Sequence, residues 1–185
     1  MSVQGLADEV RIRPLEPGRI ADLRAVAAVA RATWPRAYRG ILPHKAVAEH
    51  LRTAYTPAAL AGRLRVDGGL FLLAEAPAAG PGGGRRRAVA FCQAGRRLAA
   101  SGEADLWAIY VRPAWQGRGI GRGLVEAVAA SMPDRRLHVA LAADNGPAAA
   151  FYRALGFGFE GEGYTTAIQG VHLAMRSMVR ERSSV

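Results

Sequence analysis

A glycine-rich turn set between two regular elements constrains this chain more than any other segment. Ala104 to Val111 reads as an extended run and Gly119 to Met132 as a helix with apolar periodicity. They are joined through Arg112-Pro113-Ala114-Trp115-Gln116-Gly117-Arg118-Gly119-Ile120-Gly121-Arg122-Gly123. Strand, turn and helix in that order aim several backbone N–H groups at one point, where a helix N-terminus favours an anion. Gly117, Gly119 and Gly121 carry no Cβ, so a phosphate can approach the backbone closely. Arg118 and Arg122 sit in the same turn as charge-assisted donors. The segment predicts a mixed α/β protein that binds a phosphate-bearing ligand.

Two common ligand classes do not fit. A triphosphate-binding P-loop places Lys and then Ser or Thr after its last glycine, whereas Arg122-Gly123 stands here. A dinucleotide fingerprint needs G-x-G-x-x-G in an early βαβ unit. Counting from Gly117 puts Arg122 at its last position, counting from Gly119 puts Leu124 there, and the turn lies late in the chain.

The rest of the chain reads as one domain over residues 1–185, with a core over about 10–178. Val10 to Leu15 alternates as a first strand, and Gly18 to Ala32 repeats as a helix that Trp34-Pro35 should end. Ile41-Leu42-Pro43 opens a second helical region through Leu51, and Thr56-Pro57 has the N-cap pattern of a third. Gly69 to Ala76 and Ala88 to Leu98 read as strands joined by a flexible Gly/Pro loop over 77–87. In the helix after the glycine turn, Ile120, Leu124, Ala127 and Val128 form the expected buried stripe. Leu137 to Ala142 is another strand, and Pro147 to Leu155 a short helix closed by Gly156. Two late strands lie around Gly161-Glu162-Gly163 and Gln169-Gly170, and Met178 to Val185 reads as frayed.

Charge narrows the partners less than it first promises. The net charge is +10, yet only Lys45 among the 25 basic residues is a lysine, and the arginines are scattered. Arg85-Arg86-Arg87 is the one run, read as a solvated loop in preference to a nucleic-acid contact. No apolar run is long enough for a membrane span, and the charged start, Met1 to Pro17, is unlike a signal peptide, so a cytoplasmic protein is expected. The single cysteine, Cys92, lies in an apolar stretch and reads as a buried strand thiol. His44, His50, His138 and His172 have no metal-ligand spacing, so no metal is expected.

Gln116-x-x-Gly119-x-Gly121, with its strand and helix, resembles the acetyl-CoA-binding segment of the GNAT family of N-acetyltransferases. Asp144-Asn145-Gly146-Pro147 through Phe151-Tyr152 to Gly156-Phe157 resembles that family's later motif, in the same order. The resemblance implies a single, strongly twisted mixed sheet of about six to seven strands flanked by helices, whose central parallel strands splay apart. It implies acetyl-CoA as acyl donor and a primary amine of a small molecule or peptide as acceptor. Backbone groups near Ile109, Tyr110 and Val111 would bond the pantetheine arm, and the turn from Gln116 through Gly117, Arg118, Gly119, Ile120 and Gly121 to Arg122 the pyrophosphate. Asn145 would reach the cofactor, cap the helix that Pro147 begins, or do both.

An alkylamine with a pKa of about 10.4 must lose a proton to attack a thioester. By strand alternation Glu103 and Asp105 share a face with Trp107, Ile109 and Val111. The family often places its base at the position of Asp105, with Glu103 the near alternative; either could also be a surface carboxylate. Tyr152 is the candidate acid for the departing thiolate and a cofactor contact, set against a packing role. Trp34 and Tyr38 either line the acceptor pocket or lock two helices together, and Glu160 or Glu162 could attract a cationic amine. A non-catalytic acyl-CoA sensor and a nucleic-acid module using Arg85 to Arg87 are the competing classes. The late strands allow a homodimer without requiring one.

Overall fold

The centre of the molecule is a strand buried on both faces, the reason the run around Cys92 is apolar at successive positions. The computed structural model describes residues 10–16, 18–65, 69–78, 85–97, 102–133 and 136–181. In chain order the elements are β1 (Arg11–Pro14), α1 (Ile20–Ala37), α2 (His44–Ala54), α3 (Pro57–Leu64), β2 (Leu70–Pro77) and β3 (Arg86–Arg96). There follow β4 (Glu103–Val111), a 3-10 turn (Pro113–Trp115), α4 (Ile120–Ser131), β5 (Arg136–Ala142), α5 (Gly146–Arg153), β6 (Gly158–Ile168) and β7 (Val171–Arg180). The strands form one 7-stranded sheet in the order β1-β2-β3-β4-β5-β7-β6. Only the β4–β5 pair is parallel.

Two apolar layers cover the sheet. On one face Ile120, Leu124, Val125 and Val128 of α4 and Ala149 and Tyr152 of α5 pack on Cys92, Leu106 and Val139. On the other, Val26, Val29 and Trp34 of α1, Val47 of α2 and Leu60 of α3 pack on Leu73 and Phe91. Val125 takes the fully buried place expected of Ala127, which is half-buried. At the edge of α1 the buried carboxylate of Asp22 accepts from Arg13 (2.7 and 2.8 Å) and from the Glu16 backbone N–H (3.1 Å). Arg13 also donates to Glu75 (3.0 and 2.8 Å), so this network ties α1 to β1 and β2.

Four local expectations are corrected. Pro35 does not end α1, which runs to Ala37 with the proline inside and its ring exposed. A helical proline costs about 3 kcal/mol, and burial of Thr33 and Trp34 on the opposite side offsets it. Gly161-Glu162-Gly163 is a bulge within β6, between the Glu160–Ser177 and Tyr164–Met175 pairs. Met178 is fully buried in β7, not frayed. Pro77, Arg86 and Arg87 belong to the β2–β3 ladder, which narrows the expected loop; residues 79–84, like 1–9 and 182–185, lie outside the described residues.

The remaining correction decides the site. β4 does not alternate throughout, because Gln93 pairs with Ala108 and Ala94 with Leu106, leaving Trp107 opposite no residue of β3. This bulge reverses the side-chain parity. Ala104, Leu106, Ile109 and Val111 face the α4–α5 layer, while Ala108 and Tyr110 face α1. Glu103 and Asp105 are therefore on the face opposite to Ile109 and Val111. The β4–β5 pairing also stops at Leu106 and Val139, although β4 continues to Val111 and β5 to Ala142. The parallel strands part where the bulge begins.

Candidate active site

Where β4 and β5 separate, a cleft of about 670 Å³ opens toward α4 and α5. Ile109, Tyr110, Val111, Gln116, Gly117, Gly119, Ile120, Gly121, Arg122, Asn145 and Tyr152 all line it. Gly117 and Gly119 adopt φ values of +73° and +77°, a region that favours glycine, and nothing lies within 4 Å of a Cβ built on either. Gly119 is the N-cap of α4 and no side chain caps that end, so the first-turn N–H groups face the cleft without an internal acceptor. Gly121 serves a different need: a Cβ there would meet the Phe151 ring at 3.0 Å.

The flanking side chains hold this frame. Gln116 Nε2 donates to the Val111 carbonyl at 3.0 Å, which leaves fewer free groups on Val111 than expected. Asn145 Oδ1 accepts from the Ala148 N–H at 3.2 Å, so the capping role is realised while the residue still lines the cleft. Arg122 donates to the Ala154 carbonyl at 3.2 Å, bridging α4 to the end of α5. Arg118 does not line the cleft; its guanidinium lies 5.0 Å from the centre of the Trp115 ring. Arg36, from the last turn of α1, adds a cation to the lining that no sequence motif marked.

Tyr152 is buried between Phe151 (ring centres 5.1 Å apart) and Phe157 (5.3 Å). Burial, and secondarily the nearby Cys92, push its phenol above the ordinary value, so it is protonated at neutral pH. Cys92 is itself fully buried and its thiol is likewise pushed up, which suits a packing role and not a nucleophile.

A second cavity, of about 630 Å³, opens on the α1 side of β4 and shares Tyr110 with the first. Trp34, Tyr38 and Asp105 line it, together with His50, Tyr55, Arg63, Gln93, His138 and Tyr164. The expected packing role of Trp34 is also present, since it is buried and stacks on Tyr38 and His50 at 4.3 Å each. The Tyr38 and Tyr110 hydroxyls are 3.3 Å apart, and burial raises both phenols.

The two candidate carboxylates differ. Asp105 reaches the cavity, with Arg97 3.9 Å away. Glu103 lies behind it, 3.2 Å from Arg136, 3.5 Å from Arg97 and 3.3 Å from His138. His138 is buried beside Asp105 on the adjacent strand, and its other ring nitrogen is 3.4 Å from Glu160. Neither contact is aligned as a hydrogen bond. Sequence spacing missed His50, Tyr55, Arg63, Gln93 and Tyr164 because five different elements or turns deliver them. For His138 and Gln93 a signal existed: each is the lone polar residue of an apolar run, Leu137 to Ala142 and Ala88 to Gly95, between or after the arginines at the strand ends.

An uncapped helix N-terminus beside parted strands suits a phosphate-bearing ligand, and the second cavity across β4 leaves room for another molecule on the far side of the strand. The model of the acetyltransferase (GNAT) family matches residues 35–157, and the chain belongs to that family. It is an acetyltransferase that uses acetyl-CoA. Among solved structures, it resembles the PaiA N-acetyltransferase from Thermoplasma acidophilum in complex with coenzyme A (22% identity, 90% of this chain and 97% of that one, TM-score 0.68). The ribosomal-protein-S18-alanine N-acetyltransferase from Escherichia coli is similar at 20% identity, over 95% of this chain and 96% of that one, with a TM-score of 0.62. Mutant forms of the spermidine/spermine N-acetyltransferase SpeG from Vibrio cholerae match at 16% identity, over 93% of each chain, with a TM-score of 0.60. These likenesses establish the fold. No curated protein sequence matches significantly. Among the described residues no helix is long and apolar enough to cross a membrane, and no group of three or more His, Cys, Asp or Glu could hold a metal.

Proposed function

We propose that the protein transfers the acetyl group of acetyl-CoA to a primary amine of a small molecule or peptide, by direct attack within a ternary complex. The observation that carries this reading is the pair of cavities meeting at Tyr110 where β4 and β5 part. The donor suits the first cleft: its phosphates match the uncapped α4 N-terminus with Arg122 and Arg36, and Asn145 reaches toward it from α5. Its amide-bearing arm matches the β4 edge from Trp107 to Val111, which lacks a β5 partner.

Acetyl-CoA supplies an activated thioester: the amine nitrogen–acyl carbon bond forms, the carbon–sulfur bond breaks, and the sulfur leaves as thiolate. Asp105 accepts the amine's proton, directly or through water, from the acceptor cavity. Tyr152 donates the proton that neutralises the departing thiolate, and burial keeps its phenol protonated until then. Glu103 orients this end of β4 through Arg97, Arg136 and His138. The inert Cys92 supports direct transfer over an acetyl-cysteine route.

The test is release of free thiol from acetyl-CoA across a panel of amines, with initial rates at varied concentrations of both substrates. Amine-dependent release with intersecting double-reciprocal lines is expected. Tight acetyl-CoA binding without amine-dependent release would replace the reading by a non-catalytic sensor, and parallel lines would replace direct attack.

A further inference from the structure

We infer that the acceptor is an amine that also carries a carboxylate, and that Arg63 recognises the carboxylate. This rests on the reading that the cavity on the α1 side of β4 receives the acceptor. Among the described residues, the charged side chains lining that cavity are Arg63 and Arg97 against the single carboxylate of Asp105. Arg97 is drawn toward Asp105 and Glu103. Arg63 is different: no carboxylate among the described residues lies within ion-pair reach of it. Its guanidinium sits 5.2 Å from the centre of the Tyr55 ring, and one N–H donates to the Ala54 carbonyl at the end of α2.

A guanidinium has five N–H donors in a planar fork, and Ala54 engages one of these nitrogens. A half-buried arginine fork facing a cavity is complementary to a carboxylate bound through two parallel hydrogen bonds. Burial, and secondarily Arg63, hold the His50 imidazole below its ordinary value, so the wall beside Arg63 adds a neutral ring and no acid. Trp34, Tyr38, His50 and Tyr55 form a continuous aromatic surface there. Asp105 belongs to β4 and Arg63 to α3, so the lining offers a base on one element and an anion receptor on another. A polyamine would set its second cationic group against Arg63 and Arg97, which the cavity's charge opposes.

The experiment compares matched acceptors with wild type, Arg63→Gln and Arg63→Lys: phenylalanine with phenethylamine, 4-aminobutyrate with butylamine, and spermidine. Thiol release gives kcat and KM, and saturation-transfer NMR gives acceptor binding to the CoA-saturated protein. Wild type should favour one or both carboxylated members about 10- to 100-fold in kcat/KM, the range of one charged hydrogen-bonded pair. Arg63→Gln should raise KM for that member by about the same factor, with the analogue within about 3-fold. Arg63→Lys should recover part of the loss, since it keeps the charge and loses the fork. Preference for the decarboxylated amines or spermidine overturns the inference, as does an equal effect of Arg63→Gln on both members of a pair. Arg63-dependent carboxylate binding without turnover supports this inference while overturning the transferase reading. The absence of both turnover and Arg63-dependent binding overturns this inference. A thermal midpoint for each variant shows that it folds, and Arg63→Lys carries the comparison if Arg63→Gln does not.

Discussion

Replacing Tyr152 with phenylalanine separates chemistry from packing at the donor cleft. The ring is buried and held edge-on by Phe151 and Phe157, contacts that phenylalanine keeps. No described residue hydrogen-bonds the phenol, so Tyr152→Phe removes a hydroxyl without orphaning a partner. Stability should therefore change by less than about 1 kcal/mol. A positioned general acid contributes about 10²- to 10⁴-fold, which is about 3–5 kcal/mol of barrier. Single-turnover thiol release at saturating amine should fall by that factor, while the acetyl-CoA dissociation constant stays within about 3-fold. Wild type should also show no loss of rate near pH 10, because burial moves the phenol's ionisation above that point. An unchanged turnover rate in the variant would remove Tyr152 from the mechanism and leave it a packing residue.

Four further substitutions probe the frame. Asp105→Asn should lower turnover with little change in stability, whereas Glu103→Gln should cost about 1.5–3 kcal/mol of stability and less of the rate; denaturant midpoints beside kinetics decide, and the reverse pattern would make Glu103 the base. Gly121→Val should cost about 1–3 kcal/mol by pushing on the Phe151 ring, and weaken acetyl-CoA in a binding titration; a stable variant with normal affinity would show that the turn tolerates displacement. Asp22 is held below the usual carboxylate range, first by its hydrogen bonds from Arg13, so its contribution is present above the unfolded pKa of about 3.9 and lost as pH falls through the folded one. Asp22→Asn should destabilise at pH 7 by about 1.5–3 kcal/mol and flatten the acid limb of thermal stability; a parallel limb in the variant would place that acid sensitivity elsewhere.

The parts of this fold legible in the sequence are those whose information is local. The glycine turn, the Thr56-Pro57 cap and the Asn145-to-Gly156 helix each carry their start and stop signals within a few residues. The β4 bulge was hidden because Ala108, Ile109, Tyr110 and Val111 are all apolar, so no polar residue marks which parity each belongs to. Without the bulge, Asp105 and Ile109 appear to share a face; with it, base candidate and donor cleft lie on opposite sides of one strand. Pro35 misled for the opposite reason: a strong local signal gave way to the tertiary burial of Trp34. The acceptor cavity draws His50 from α2, Tyr55 from the turn after it, Arg63 from α3, His138 from β5 and Tyr164 from β6. No spacing rule within one element could gather them.

Amide-resolved hydrogen exchange with and without CoA tests the central claim most directly, because it reads the backbone groups that the parted strands and the uncapped helix leave free. Saturating CoA should slow exchange in Trp107 to Val111 and in Gly117 to Arg122, with β1, β6 and the segment at Arg85 to Arg87 unchanged. Protection confined to the arginine segment, or none in β4 and the start of α4, would contradict the account.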